Sequence, residues 1–460
     1  GLVDLYRVIK DHKYLSLAER FINRRGKYAV AHHPTTEGYP IGDMVQERVP
    51  LRDASEAAGH AVLALYYYAG AADVYAETGE KALLEALDRL WENITQKKMY
   101  LTGAVGQTHY GASSNRDKIE EGFIDDYMMP NLTAYNETCA NICNALFSHR
   151  LLEIHGLSKY ADVIEQALYN SVLSGIGVEG KSYFYTNPLR MVHHSREYHT
   201  HESATETPER EPYLPCFCCP PNLVRTIAKV SRWAYSLTET GLSVNLYGSN
   251  TLDTQLRDGS TLRLQQETMY PWEGKVKLAI EHCHPTPFDI QLRIPDWAEH
   301  TTIYLNGEAL EENVQAGVFF TIERSWQPED EIIIDMPMPV NLMEGHPRIE
   351  EIRNHVAVKR GPVVYCVETP DLPENTSILD VYLDASTELT VKSQPAFLGG
   401  LSTIHGNVLI RSDQGNAMYR KLLDPSWTKH ACQFVPYYAW SNRGLAEMSV
   451  FLPVVWGQQN

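Results

Sequence analysis

The sequence predicts a multidomain protein in which a helical region is followed by antiparallel β-sandwich regions. Its 460 residues are too many for one ordinary hydrophobic core. Apolar residues recur at helical spacing up to about residue 237, and short alternating runs separated by Pro, Gly and Asp take over beyond it. No repeat of fixed period is present. We therefore expect consecutive domains.

The helical region, residues 1–237, should contain about seven helices. The periodic segments are LVDLYRVIK, YLSLAERFINRR, EAAGHAVLALYYYAGAADVYAETG, ALLEALDRLWENITQK, TCANICNALFSHRLLEIHG, YADVIEQALYNSVLSGI and NLVRTIAKVSRWAYSL. The chain opens at Gly1 inside such a pattern, with neither an initiator Met nor a secretory h-region. We interpret this opening as a cut, not as a natural beginning.

The β region should contain two sandwich domains, residues 238–345 and 346–460. Its alternating runs include LSVNLYG, KVKLAIEH, FDIQLRIP, EIIIDMP, HVAVKRGPVVYCVE and MSVFLP. About 220 residues exceed one sandwich, and the turn MPMPVNLMEGHPRIEE supplies a boundary near residue 345.

Composition excludes several classes of partner. A formal charge of −18 disfavours a binder of phosphate backbones or of anionic membranes. No apolar run approaches the roughly 20 residues that span a bilayer. We expect no nucleic acid and no membrane partner, and a neutral or small substrate. Eight cysteines are too sparse for a disulfide scaffold, so their clustering indicates a metal site or catalysis.

The stretch PCFCCPPN, residues 215–222, holds the densest cysteine cluster. Cys218 and Cys219 precede two prolines and a helical run, and Pro is favoured in the first turn of a helix. The positive end of the helix dipole lowers the pKa of thiols placed there. Two explanations compete, a strained vicinal disulfide and two thiolates on one metal ion.

The stretch YNETCANIC offers further ligands, Glu137 and Cys139. In a regular helix residues i and i+2 diverge, so a shared ion requires residues 135–139 to be an irregular entry, with regular helix from about Ala140. One carboxylate and three thiolates would complete the four-coordinate site that zinc prefers. Cys139 and Cys143 could equally be core residues. Spacing alone leaves both alternatives open.

Several longer motifs carry a family resemblance. They are EGFIDDYMMPNLTAYNETC, CFCCPPNLVR, AAGHAV, KMYLTGAVG, YFYTNPL, LRIPDWA and VKRGPVVY. The chain resembles the β-L-arabinofuranosidases of glycoside hydrolase family 127 over nearly its whole length. The resemblance implies an (α/α)6 barrel that carries the active site, β-sandwich domains after it, and zinc held by one Glu and three Cys. It also implies that a zinc-bound cysteine attacks the sugar while a separate Glu serves as acid/base.

The resemblance assigns roles position by position. The zinc ligands would be Glu137, Cys139, Cys218 and Cys219. Cys218 would be the nucleophile and Glu121 the acid/base. The positions that contact substrate would be His60 and Tyr185. A thiolate would then take the place of one of the two carboxylates that a retaining glycosidase ordinarily uses.

Two departures from the family pattern qualify these assignments. An (α/α)6 barrel needs twelve helices and about seven are counted, so the N-terminal barrel segment would be absent and the pocket open on one side. The insertion-like SSNRDKIE makes Glu120 a rival of Glu121, although spacing to the PN and NETC landmarks favours Glu121.

Other reactive side chains receive structural interpretations. We interpret Cys216 as packing and the run HHSREYHTH as a solvated loop. Without the family match His60 would be a core histidine. The cysteines in β runs should be core residues; they are Cys283, Cys366 and Cys432.

Together these points predict a retaining exo-acting glycoside hydrolase that releases β-L-arabinofuranose, or a close furanose relative, from plant-type glycans. The alternatives are a retaining glycosidase of the same fold for another sugar, and a carbohydrate-binding protein with a structural zinc. The expected cofactor is Zn²⁺ and the expected partner an oligosaccharide or glycan. The sequence is compatible with a homodimer, and the expected location is the cytoplasm or periplasm of a bacterium.

Overall fold

The computed structural model describes residues 1–27, 42–192, 207–284, 286–311, 313–412, 417–422 and 424–457. The predicted histidine loop HHSREYHTH lies outside these ranges. The α-helices of the described residues are α1 (Leu2–Ile9), α2 (His12–Arg24), α3 (Ala61–Thr78), α4 (Lys81–Lys97), α5 (Thr138–His155), α6 (Ser158–Ala167) and α7 (Cys219–Ile227). Their number agrees with the sequence-based count of about seven. None of these helices has both the length and the apolar character needed to cross a membrane.

The helices pack around α5. This helix contacts α3, α6 and α7, and most of its side chains from Thr138 to Leu152 are buried. A helix that is buried on nearly every face belongs to the interior of a fold. The outer helices α1 and α2 bury one face only, and Val8 and Phe21 project into solvent. The start of α5 therefore lies in a rigid, dry part of the molecule.

The strands are β1 (Gly59–His60), β2 (Thr108–Ala112), β3 (Lys118–Phe123), β4 (Arg190–Met191), β5 (Tyr235–Leu237), β6 (Gly241–Val244), β7 (Asn250–Gln255), β8 (Thr261–Thr268), β9 (Lys275–Cys283), β10 (Phe288–Ile294), β11 (Thr302–Leu305), β12 (Glu308–Ala309), β13 (Val318–Arg324), β14 (Glu331–Asp335), β15 (Val340–Glu344), β16 (His355–Arg360), β17 (Val363–Glu368), β18 (Val381–Asp384), β19 (Thr390–Gln394), β20 (Leu401–Arg411), β21 (Trp427–Pro436), β22 (Met448–Ser449) and β23 (Phe451–Val455).

The first β region contains two sheets. One sheet has the order β13-β10-β6-β5 and the other β12-β11-β14-β9-β8-β7. Side chains from both sheets, such as Ile290 and Leu278, share one buried cluster. Two faces that bury a common core are the defining feature of sheet-on-sheet packing.

The second β region does not consist of two separate sheets that face each other, as the predicted β-sandwich would. Its strands form one ten-stranded sheet in which β16, β23, β18, β20, β21 and β17 pair in a closed circuit. The circuit closes because one edge of β16 pairs with β23 along its first half and with β17 along its second half. The strand β4, from the helical region, extends this sheet by pairing with β22. The helical region and the last β region are thus joined by backbone hydrogen bonds.

A three-stranded sheet inside the helical region was not predicted. Its order is β1-β3-β2, and His60 pairs with Gly122. A Cβ built on Gly122 would lie 2.2 Å from the carbonyl oxygen of Gly59, so only glycine allows β1 and β3 to come this close. The sheet brings the strand that carries Glu121 against the start of α3.

Candidate active site

The first half of the site is the start of α5. Asn136 has a left-handed backbone with φ of 45°, and Glu137 is the N-cap with φ −52° and ψ 134°. The irregular entry predicted for this segment is therefore present, but it ends earlier than expected. The helix begins at Thr138, so Cys139 already belongs to it. Glu137 can face the same centre as Cys139 because the backbone of Glu137 is not helical.

The second half is the start of α7. Cys218 is the N-cap and Cys219 the first helical residue, with proline in the first turn. The two sulfur atoms lie 3.6 Å apart and both thiols are free, whereas a disulfide joins its sulfurs at about 2.05 Å. The structure therefore contains no vicinal disulfide. Cys219 is buried and Cys218 is half-buried.

The two helix starts bring four ligand groups together. One donor atom from each of Glu137, Cys139, Cys218 and Cys219 lies within 4.8 Å of the other three. Glu137 Oε1 is 3.4 Å from Cys218 Sγ and 3.7 Å from Cys219 Sγ. Glu137 is 81 positions from Cys218 and 82 from Cys219 in sequence. The fold, not local spacing, assembles the cluster.

The cluster fits a divalent metal ion on two grounds. Glu137 is buried, and its second oxygen, Oε2, has no hydrogen-bond partner. A buried carboxylate oxygen without a partner is costly, and a cation would satisfy it. One carboxylate and three thiols also form a donor set suited to four-coordinate zinc. The burial of Glu137 raises the pKa of its carboxyl well above the ordinary value.

The thiols share charge through hydrogen bonds. Bonds from Cys218 and Cys219 lower the pKa of Cys139 to about 5, while burial raises the pKa of Cys219. The shifts differ in direction within the cluster: the pKa of Cys139 is lowered, whereas those of Cys219 and Glu137 are raised. A divalent cation would replace the protons that remain on the other thiols.

Glu121 approaches the cluster from β3. Its carboxyl accepts a hydrogen bond of 2.9 Å from the Tyr135 hydroxyl, and one of its oxygens lies within 4.8 Å of a Glu137 oxygen. Glu120 instead pairs with Lys118 at 2.8 Å, on the strand itself. The backbone of Glu121 is left-handed, with φ of 51°. Such a conformation in a residue with a side chain costs about 1–3 kcal/mol and is concentrated at functional sites.

His60 faces Glu121 from the start of α3. Its Nδ1 accepts the backbone N–H of Val62 at 3.2 Å, and its Nε2 lies 3.4 Å from Glu121 Oε2. A neutral imidazole that accepts at Nδ1 carries its proton on Nε2. Nε2 is therefore a donor to Glu121, without a free lone pair for a metal. This argues against a second metal site, although His60, Glu121 and Glu137 lie close enough together to form one.

The surroundings of Glu121 set its ionisation. Burial raises the pKa of its carboxyl, but hydrogen bonds from His60 and Tyr135, together with the charge of His109, outweigh burial. The pKa of Glu121 is therefore below its ordinary value. Two donors aimed at one carboxyl favour its ionised form.

Tyr185 reaches the cysteine side of the cluster. It is buried, and its hydroxyl lies 3.5 Å from Cys218 Sγ and 3.7 Å from Cys216 Sγ. Its carbonyl accepts the backbone N–H of Thr138 at 2.9 Å, which ties this segment to the start of α5. All seven residues that the sequence singled out for the site thus surround one centre.

The packing interpretation of Cys216 is wrong. Its side chain is exposed, with Sγ 3.9 Å from Cys218 Sγ. Cys216 lies two positions before Cys218, in a segment of bends and turns that precedes α7. The three cysteines of the β runs are buried as predicted; they are Cys283, Cys366 and Cys432.

Comparison with known proteins agrees with the site. Three family models match the chain: the β-L-arabinofuranosidase GH127 catalytic domain over residues 1–232, the GH127 middle domain over residues 241–338, and the glycoside hydrolase family 127 C-terminal domain over residues 340–453. The chain belongs to glycoside hydrolase family 127. It is accordingly a glycoside hydrolase related to β-L-arabinofuranosidases.

Individual relatives resemble nearly the whole chain. A non-reducing end β-L-arabinofuranosidase of Bifidobacterium longum subsp. longum is 31% identical over 481 residues, which cover 98% of this chain and 69% of the relative. A solved glycoside hydrolase matches with a TM-score of 0.91 and 39% identity, covering 99% of this chain and 74% of that one. The family 127 β-L-arabinofuranosidase of Geobacillus stearothermophilus T6 matches with a TM-score of 0.89 and 34% identity, covering 99% and 71%.

Proposed function

We propose that this family 127 hydrolase is a retaining, exo-acting β-L-arabinofuranosidase that acts on plant-type glycans. The observation that carries the proposal is the placement of a half-buried thiol and a carboxyl on two sides of Glu137. Cys218 Sγ lies 3.4 Å from one Glu137 oxygen, and a Glu121 oxygen lies within 4.8 Å of a Glu137 oxygen. A retaining glycosidase needs such a nucleophile and such a proton donor.

Zinc is the proposed cofactor. Glu137, Cys139, Cys218 and Cys219 would hold it, because their donor atoms converge and one Glu137 oxygen has no other partner. When bound, the ion keeps thiols deprotonated near neutral pH and offsets the negative charge of its ligands.

The protein groups act in two steps. In the first, Cys218 Sγ bonds to the anomeric carbon, the glycosidic C–O bond breaks, and Glu121 gives its proton to the leaving oxygen. In the second, Glu121 takes a proton from water, the water oxygen bonds to the anomeric carbon, and the C–S bond breaks to restore the thiolate. His60 and Tyr185 border this space and are the proposed sugar contacts.

The finer features of the fold and setting are proposals as well. We infer that α1 to α7 belong to an (α/α)6-type barrel, with domain boundaries near residues 237 and 345. Support comes from the packing of α3, α5 and α6 as successive partners. An oligosaccharide or glycan substrate, a homodimeric assembly and a bacterial cytoplasmic or periplasmic location complete the proposal.

Covalent trapping tests the nucleophile. The protein would be treated with a furanose-configured electrophile and digested, and the labelled residue identified by mass spectrometry. We expect the label on Cys218. A label on Cys219, Glu137 or Glu121 would contradict the mechanism. A panel of nitrophenyl glycosides tests the sugar, with fastest release expected from the β-L-arabinofuranoside.

The dependence on the leaving group tests the acid/base. Glu121→Ala should lose activity on glycosides with poor leaving groups by orders of magnitude more than on activated aryl glycosides, because an activated leaving group scarcely needs a proton. The matched control is Glu120→Ala, one residue away and paired with Lys118, which should retain both activities. Equal loss on both substrate types in Glu121→Ala would remove Glu121 from this role.

A further inference from the structure

Tyr135 lies beside the acid/base and has no role in the steps above. Its side chain is buried, and its hydroxyl donates a hydrogen bond of 2.9 Å to Glu121 Oε1. The other oxygen of that carboxyl, Oε2, faces His60 Nε2 at 3.4 Å. The two oxygens of Glu121 therefore have different neighbours, with the shorter contact at Oε1.

The position of the Tyr135 hydroxyl is fixed from three directions. Its ring stacks on His109 at 4.5 Å and meets the edge of Tyr185 at 5.9 Å. Its carbonyl accepts the backbone N–H of Asn187 at 3.2 Å. A donor held this firmly loses little entropy when it bonds to the carboxyl.

An acid/base that works in both steps needs one oxygen free to carry the proton. The partly buried carboxyl of Glu121 has Tyr135 on one oxygen and His60 on the other, and Glu137 lies close to it. A donor that occupies Oε1 in both ionisation states leaves Oε2, whose contact with His60 Nε2 is longer at 3.4 Å, as the oxygen with a lone pair for the transferable proton. The left-handed backbone of Glu121 allows its side chain to leave the strand in this direction.

We propose that Tyr135 is a positioning residue for the acid/base, whose hydroxyl holds Glu121 Oε1 so that Oε2 delivers and accepts the proton. The inference rests on the proposed role of Glu121. Tyr135 touches neither nucleophile nor leaving group in this account. Its effect is transmitted entirely through the Glu121 carboxyl.

The test begins with Tyr135→Phe, which keeps the buried ring and removes the hydroxyl. Loss of a hydrogen bond to a charged group should lower the plateau value of kcat/KM for a poor leaving group, at pH values below the alkaline limb, about tenfold, with KM little changed. The Tyr135 hydroxyl favours the ionised form of Glu121, so its removal should raise the pKa of that carboxyl. The alkaline limb of the kcat/KM profile should therefore move to higher pH by about one unit. Zinc content should match that of the parent protein.

Tyr110→Phe is the matched control. The ring of Tyr110 stacks on His109 at 3.9 Å, and the same His109 ring also stacks on Tyr135. The side chain of Tyr110 is exposed. Removal of its hydroxyl should leave both the rate and the pH profile unchanged. An equal shift in both variants would overturn the inference, because it would trace the effect to the aromatic stack and not to the bond with Glu121.

A double-mutant cycle completes the experiment. In a Glu121→Ala background, assayed on an activated aryl glycoside, adding Tyr135→Phe should cause no further loss. A tenfold loss that persists there would overturn the positioning role alone. If Glu121→Ala itself shows equal loss on good and poor leaving groups, the assignment of Glu121 fails and the inference fails with it.

Discussion

The two helix starts that supply the proposed metal ligands differ in how they are held. The start of α5 is buried and tied into the protein by side-chain hydrogen bonds. The start of α7 follows a segment of bends and turns in which Cys216 and Phe217 are exposed. Both contribute two ligand groups, but only the second contributes a half-buried thiol.

The α5 side is fixed by a small buried network. Asn187 Nδ2 donates to the Asn136 carbonyl at 2.9 Å and to Thr138 Oγ1 at 3.0 Å. Thr138 Oγ1 in turn donates to the Phe184 carbonyl at 2.9 Å, and Asn141 Nδ2 to the Asn136 carbonyl at 3.1 Å. The bonds hold the left-handed residue before Glu137 in place.

The difference between the two sides fits the division of labour that the proposed mechanism requires. A ligand that only binds metal gains from a rigid, dry frame, since its partners fix geometry. A thiol that must also bond to a sugar needs an open approach. The structure provides the frame at α5 and the approach at α7.

The largest expected effect separates Cys218 from Cys139. Cys218→Ser should lose turnover by at least about 10³-fold, because a serine alkoxide is a far poorer nucleophile and leaving group than a thiolate. Cys139→Ser should act chiefly by weakening the metal, so added zinc should restore part of its activity. Metal content and kcat measured against zinc concentration distinguish the two variants.

Rescue of Cys218→Ser by zinc, to the same extent as Cys139→Ser, would contradict the comparison. Both cysteines would then be ligands of equal kind. The nucleophile would have to be sought elsewhere in the cluster.

The ligand groups could be predicted because they lie in dense local motifs. The CC pair before two prolines and the ExC pair at a helix start are visible in the sequence, and the family resemblance joined them. Local spacing could not join the two pairs, because Glu137 lies 81 or more residues before Cys218 and Cys219 and meets them only through helix packing. Glu121 was selected over Glu120 by landmark spacing, and the structure places its carboxyl beside the cluster.

The surroundings of Glu121 could not be predicted. Gly59 and His60 form a two-residue strand inside a segment with continuous helical periodicity, and two residues are too few to show a period of their own. The left-handed backbone of Glu121 has no signature in its residue type. Tyr135 was visible in YNETC, but its hydrogen bond depends on that unpredicted sheet.

The second prediction breaks the rigid frame on the α5 side. Asn187→Ala removes two donors to the α5 start, and we expect zinc affinity to fall about 10–100-fold, as for other residues that orient ligands. A competition assay with a chromogenic chelator measures this. The control is Asn144→Ala, a buried asparagine of the same helix whose amide bonds the Gly103 carbonyl at 3.1 Å. It should cost stability but spare zinc affinity.

An equal loss of zinc affinity in Asn144→Ala and Asn187→Ala would mean that any defect near α5 loosens the site. The network around Asn136 would then have no special part in holding Glu137. Thermal unfolding of both metal-free variants measures how much stability each substitution costs, so that the losses of zinc affinity can be compared at similar losses of stability.

The third prediction uses pH to separate the Glu121 carboxyl from the ligand cluster. The first step needs a protonated Glu121, and hydrogen bonds from His60 and Tyr135 outweigh burial and lower its pKa. Above that pKa the protonated fraction falls about tenfold per pH unit. For a poor leaving group, kcat/KM should therefore rise as the pH is lowered from 8 towards 5, until protonation of the thiols releases the metal.

An activated aryl glycoside is the control for this profile, since it scarcely needs the proton and should show a flatter alkaline limb. If the same limb survives in Glu121→Ala, a group other than Glu121 produces it. The acidic limb should respond to added zinc, because there the metal competes with protons for the cysteine ligands.

The smallest expected effect tests the exposed edge of the α7 side. Cys216 lies 3.9 Å from the Cys218 sulfur, yet it is exposed and does not belong to the group of mutually close ligand atoms. Cys216→Ser should therefore leave zinc content unchanged and alter kcat by less than about twofold, since serine keeps the size of the side chain and no step of the proposed mechanism uses the Cys216 sulfur. Metal analysis and a single rate measurement suffice. A loss of zinc would make Cys216 a ligand in exchange with Cys218, and the open approach inferred for this side would instead be part of the metal frame.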